Sequence, residues 1–178
     1  KKIGRPQNIA ELAKERLRLA GKDVVKRNPG YSGDLGFKVF RLDSSNISIW
    51  NPDRNDLEQS LLDYTDHIAE GRSEQDILYE LLLKRGVDLA IPIDVRVIAG
   101  KTVHSMGDGT LFACLDEMIE MSEIEDLGSG IAEWFIELDA IKKEAHVVFR
   151  DSAFADDVVK TNMCAMLEQN GIKHILSL

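Results

Sequence analysis

Apolar and polar residues follow two rhythms along the chain, and both are plainest between His146 and Leu178. His146 to Arg150 is a short β-branched and aromatic run stopped by Asp151-Ser152, as a buried strand is. Asp156 and Asp157 then open a segment with apolar residues at Val159, Met163 and Met166, closed by Asn170-Gly171. That spacing predicts a helix with an acidic first turn and a glycine at its C-terminal cap. His174 to Leu178 is short and apolar again. The stretch therefore predicts strand, crossover helix and strand, with a right-handed parallel crossover as the default geometry.

The same patterns run through the rest of the chain. Asn8 and Glu11 make a capping-box signature, and Ile9, Leu12, Ala13, Leu17 and Ala20 share one face of the helix they open, which should end near Gly21. Arg16 falls on that apolar face, either as a stem covering core surface or in a buried ion pair or ligand contact. Lys14, Arg18 and Lys22 form a basic stripe on the polar face. After turn chemistry at 28–30 and 32–34, residues 36–42 alternate apolar and basic, which predicts a strand with one buried face. Asp43, Ser44, Ser45 and Asn46 follow it, either as ordinary loop formers or as the lining of a pocket past a strand end.

Trp50-Asn51-Pro52-Asp53 reads as a linker. Asp56 caps a helix over 57–69, and Ser73 opens a second through Lys84-Arg85, so the short connection predicts an antiparallel helical hairpin rich in leucine. Residues 95–98, 101–104 and 110–114 predict short strands divided by Ala99-Gly100 and Gly107-Asp108-Gly109. Residues 122–126 and 131–138 predict helical pieces either side of Gly128-Ser129-Gly130. The fold class is α/β, with a C-terminal strand-helix-strand unit, a small hairpin-rich sheet and the helical hairpin.

At 178 residues, 44% hydrophobic and 30% charged, the composition is that of a globular domain and excludes a disordered tail. No apolar run approaches the ~20 residues of a membrane span and no signal-peptide pattern opens the chain, so the cytoplasm is the expected compartment. The chain opens Lys1-Lys2 without methionine, as a piece of something longer would. Net charge is -9 but unevenly spread. Residues 1–41 hold 11 Lys and Arg against 4 Asp and Glu, and the remainder 11 against 27. Only the first segment offers the clustered cations that phosphate binding requires.

Recognisable chemistry is sparse. The two cysteines, Cys114 and Cys164, lack metal-ligand spacing and read as buried thiols. His67, His104, His146 and His174 share no motif; Gly107-Asp108-Gly109 lacks the third glycine and following helix of a phosphate loop, and Gly128-Ser129-Gly130 is not read as one either. Asp151 and Asp157 are either paired carboxylates at a strand end or helix caps. No catalytic residue and no metal ligand is assigned. An α/β binding domain of another kind is compatible with the residues so far.

At Asp34-Leu-Gly-Phe-Lys-Val-Phe-Arg-Leu-Asp-Ser-Ser-Asn46 and Val147-Val-Phe-Arg-Asp-Ser-Ala-Phe-Ala-Asp-Asp-Val-Val-Lys-Thr-Asn162, the chain resembles the methyltransferase subunit of type III restriction-modification systems. Asn8 to Leu19, Asp56 to Asp63, Leu78 to Lys84 and Leu111 to Asp116 resemble it too, so the likeness covers the chain in order and corresponds to the C-terminal third of such a subunit. The resemblance implies a parent enzyme that methylates adenine N6 in a short asymmetric DNA site using S-adenosylmethionine. The family's Asp-Pro-Pro-Tyr and Phe-x-Gly-x-Gly motifs do not occur here, so the resemblance implies a fragment inactive alone. Residues 1–50 would be the closing edge of the methyltransferase core, and 51–178 a C-terminal dimerisation and docking domain. Implied partners are DNA through the parent enzyme, a second copy and the restriction (helicase and nuclease) subunit, with no membrane. If part of a cofactor- or DNA-binding surface is retained, Arg16, Asp43, Ser44, Ser45 and Asn46 are its candidates.

Overall fold

A computed structural model gives the fold of residues 8–47, 68–69, 71–139 and 144–178. The linker expected at 50–53 and the first arm of the helical hairpin lie outside these residues, except for Ile68 and Ala69 at the end of that arm. Ile68 forms an antiparallel bridge with Ile47 instead of continuing a helix. The chain divides into two compact units, Lys1–Leu42 and Asp43–Leu178. The division falls before Asp43-Ser44-Ser45-Asn46, four residues that bond or pair within the second unit.

Helix α1, Ile9–Arg27, begins as its sequence dictates: the Asn8 side chain accepts from the Glu11 amide at 2.8 Å. It does not stop at Gly21. One glycine inside a helix costs only about 1 kcal/mol, and Lys26 and Arg27 suit the negative end of the helix dipole. Residues 36–42 form no strand and take no regular structure; Arg18 of α1 lies 5.7 Å over the Phe37 ring. Their alternation reports one side turned toward a neighbour, and here that neighbour is a helix and not a sheet.

The second unit is built on one sheet. Its strands are β1 Ile93–Ile98, β2 Lys101–Met106, β3 Leu111–Cys114, β4 His146–Phe149 and β5 His174–Ser177. They lie side by side in chain order, antiparallel from β1 to β3 and parallel from β3 to β5. The predicted hairpins and the predicted strand-helix-strand unit are thus halves of one mixed sheet. Turns are made where glycine permits positive φ, as at Gly100 (78°) and Gly107 (63°), and Ala99 adopts 50° beside the first.

Side-chain alternation divides the sheet into two buried faces. Val103, Phe112, Cys114, Val147 and Phe149 join the cluster beneath α3, Ile124–Glu137, and α4, Asp157–Gln169. Met106, Leu111, Ala113 and Val148 meet α2, Glu74–Lys84, through Ile77, Leu78, Leu81 and Leu82. Helices on both faces make this an α/β three-layer unit.

The two helical pieces expected around Gly128 and Gly130 are one continuous α3. A Cβ on Gly128 would lie 2.7 Å from the Met166 sulfur, and one on Gly130 would strike the Ile98 branch methyl. Close approach, and not a turn, is what these glycines provide. In α4, Asp156 is the cap, accepting from the Val159 amide at 2.8 Å, and Gly171 takes φ 86° beyond the last turn, as predicted.

Candidate functional site

The carboxyl ends of parallel strands collect loops and side chains on one rim, which is where open α/β sheets bind ligands. Here a cavity of about 330 Å³ opens at the ends of β3 and β4, on the α2 side. Leu115, Asp116 and Glu117 follow β3, Arg150 follows β4, and Ile68, Ala69, Gly71, Arg72, Glu74 and Ile77 close the opposite wall. Two guanidiniums and three carboxylates therefore line one small space.

Each charged group has a polar or charged neighbour. Asp116 Oδ2 accepts from the Thr102 amide at 2.7 Å. Arg150 donates from Nε to Ser152 Oγ at 3.0 Å and lies 3.7 Å from the exposed Glu117 carboxylate. Glu74 Oε1 lies 3.0 Å from Nε2 of the buried His104, without the alignment of a hydrogen bond. Arg72 donates to Ser44 Oγ at 2.6 Å and pairs with Asp43 at 3.7 Å.

Arg72 thereby joins the cavity to the quartet singled out in the sequence. Ser45 Oγ donates to Glu80 at 2.6 Å, the Asn46 amide donates to the other Glu80 oxygen at 2.6 Å, and Asn46 Nδ2 donates to the Asp76 carbonyl at 2.9 Å. Burial raises the Glu80 pKa, but bonds from Lys84, Ser45 and the Asn46 amide outweigh it and hold the carboxyl at about 2. Asp43 to Asn46 thus brace α2, and a ribose or a carboxylate would have to displace these bonds. Arg16 is exposed on α1 in the other unit. The basic stripe is partly engaged: Lys14 pairs with Glu11, and Arg18 sits 3.6 Å from Glu15.

The remaining candidates separate. Asp151 pairs with Lys160 at 2.5 Å, and Lys160 also donates to Ser177 at 3.0 Å, so the cation ties the ends of β4 and β5 together. Asp157 lies in the first turn of α4 and its carbonyl accepts from Thr161. Burial pushes the Cys114 thiol up to about 12 and raises that of Cys164, so both are poor nucleophiles. His146 and His174 stack in register, 4.5 Å between ring centres, on the opposite rim of the parallel strands from the cavity. Among the described residues no group of three or more His, Cys, Asp or Glu stands ready to hold a metal, and no helix is long and apolar enough to cross a membrane.

Sequence reading missed Arg72, Glu74, Asp116 and Arg150 as neighbours. The available signal was position: Asp116 and Arg150 each fall within two residues of the end of a strand whose partner is parallel. Pairing order decides which strand ends share a rim, and periodicity carries no pairing order. The cavity is lined by charged side chains but holds no activated nucleophile beside a base. The chain matches no protein-family model, no curated protein and no solved structure.

Proposed function

We propose that the chain is the C-terminal portion of an adenine-N6 DNA methyltransferase subunit of a type III restriction-modification system, and that it serves subunit assembly. In this reading S-adenosylmethionine and the flipped base belong to the parent enzyme, DNA is met through that enzyme, and the partners are a second copy and the restriction subunit. The compartment is the cytoplasm.

One observation carries the structural side of the reading. Helix α1 has the spacing of a core helix, yet none of its residues is buried, and Ile9 is 86% exposed. An apolar helical face gains about 25 cal/mol per Å² only when something covers it. A closing edge whose larger core lies elsewhere accounts for such a unit. Its excess of Lys and Arg suits a position near DNA.

A second reading keeps part of a cofactor or DNA surface in the first unit. It is favoured by a groove of about 630 Å³ within that unit, lined by Arg18, Lys22, Leu35, Phe37 and Val39 among others. Calorimetric titration of S-adenosylmethionine into the chain separates the two. The assembly reading predicts no heat of binding. Saturable micromolar binding would overturn it in favour of the second.

A further inference from the structure

Strand β1 ends the sheet: β2 pairs with its inner edge, and among the described residues nothing pairs with its outer one. The two-residue turn between Ile98 and Lys101 makes that pair hydrogen-bonded, and antiparallel alternation fixes the rest. Asp94, Arg96 and Ile98 turn their N–H and C=O groups toward β2, whereas Ile93, Val95 and Val97 turn theirs outward. Two neighbouring bonds agree with this phase: Gly107 donates to the Pro92 carbonyl, and the Thr102 amide faces Asp116 on the β3 side.

The side chains sort independently. Arg96 lies on the α3 face, 4.4 Å over Trp134 and 2.8 Å from Glu137, and Asp94 shares that face. Val95 and Val97 lie on the α2 face, which leaves them 54% and 72% exposed. Asp94 has no ion pair among the described residues.

We infer that two copies of the chain join through β1, antiparallel about a two-fold axis at Val95. Edge pairing requires outward-facing residues to meet outward-facing ones, which leaves three registers with substantial overlap. Val95 opposite Ile93 sets Asp94 against Asp94, and Val95 opposite Val97 sets Arg96 against Arg96. Val95 opposite Val95 sets each Asp94 against the other copy's Arg96, and each Ile93 against Val97. The Asp-Arg pairs then occupy non-hydrogen-bonded positions, where Cα atoms approach to about 4.5 Å and charge complementarity counts most. Arg96 has five donors, enough to meet Asp94 while keeping Glu137. Two-fold closure satisfies both outer edges and stops further addition, and the charges reject the slipped registers.

This names the surface of the second-copy contact in the assembly reading, although its argument is strand geometry. Light scattering over a concentration series tests it on the full chain, with circular dichroism to check folding. Wild type should dimerise. Asp94→Arg makes the edge wholly basic and Arg96→Asp makes it wholly acidic, so each should weaken self-association about 100-fold. Mixed one to one, the two variants should recover a dimer, because every Arg then meets an Asp. Should Arg96→Asp fail to fold without the Trp134 stack, Val95→Pro removes an outward N–H while sparing the inner ladder, and it too should be monomeric. A monomeric wild type, variants as dimeric as wild type, or a mixture of folded variants that stays monomeric would overturn the inference. Dimers that persist in the variants would leave the assembly reading standing and remove only β1 as its surface.

Discussion

Glu80 does more at the scale of single residues than any of the positions the sequence singled out. It receives bonds from Ser45, Asn46 and Lys84, and so fastens the segment after α1 to α2. Its carboxyl is depressed from 4.5 to about 2 in the fold. A depressed acid contributes stability that is complete above the unfolded value and is lost as pH falls through the folded one. Wild type should therefore lose stability between about pH 4.5 and 2 through this group. Glu80→Gln should cost about 2 kcal/mol at pH 7 and flatten that acid limb. Urea midpoints measured across this range decide it, and an unchanged slope in the variant would refute the brace. Ser45 and Asn46 were visible as part of a polar cluster, but the bonds that the Ser45 hydroxyl and the Asn46 backbone N–H donate to a glutamate 35 and 34 residues away were not. Local pattern carries no information about such a partner.

Among the elements, those whose signals are local were legible: the capped starts of α1, α2 and α4, and the strand-helix-strand unit ending the chain. The failures have one physical cause, tertiary context overriding a local sign. The alternation at 36–42 indicates a two-sided segment without saying whether a strand or α1 lies beside it. Gly128 and Gly130 look like breakers, yet α3 runs through them because neighbours press on it. The two glycines should respond to alanine with opposite signs. Gly128→Ala presses on the flexible Met166 side chain, with the Met163 sulfur at an ordinary contact distance, and should gain up to about 1 kcal/mol of helix propensity. Gly130→Ala meets the branch methyl of Ile98 and should lose about 1–3 kcal/mol, partly recovered when Ile98→Ala is added. Denaturation midpoints of the three variants test this, and equal shifts at both glycines would contradict it.

Across the whole molecule, charge and burial divide in the same place. The positively charged first unit carries a helix without buried residues, and the acidic second unit carries its own two-faced core. The α/β class was legible because strands and helices alternate toward the C-terminus; the single continuous sheet and the cavity at its rim were not, because both depend on strand order. The rim holds charges of both signs, and among the described residues nothing pairs with the outer edge of β1. These features are what the proposed assembly role draws on. The most direct test of assembly is the molar mass of the chain in solution over a wide concentration range. Self-association predicts a rise from 19.9 kDa to twice that value with concentration. A mass fixed at 19.9 kDa throughout, together with failure to bind the restriction subunit, would contradict it.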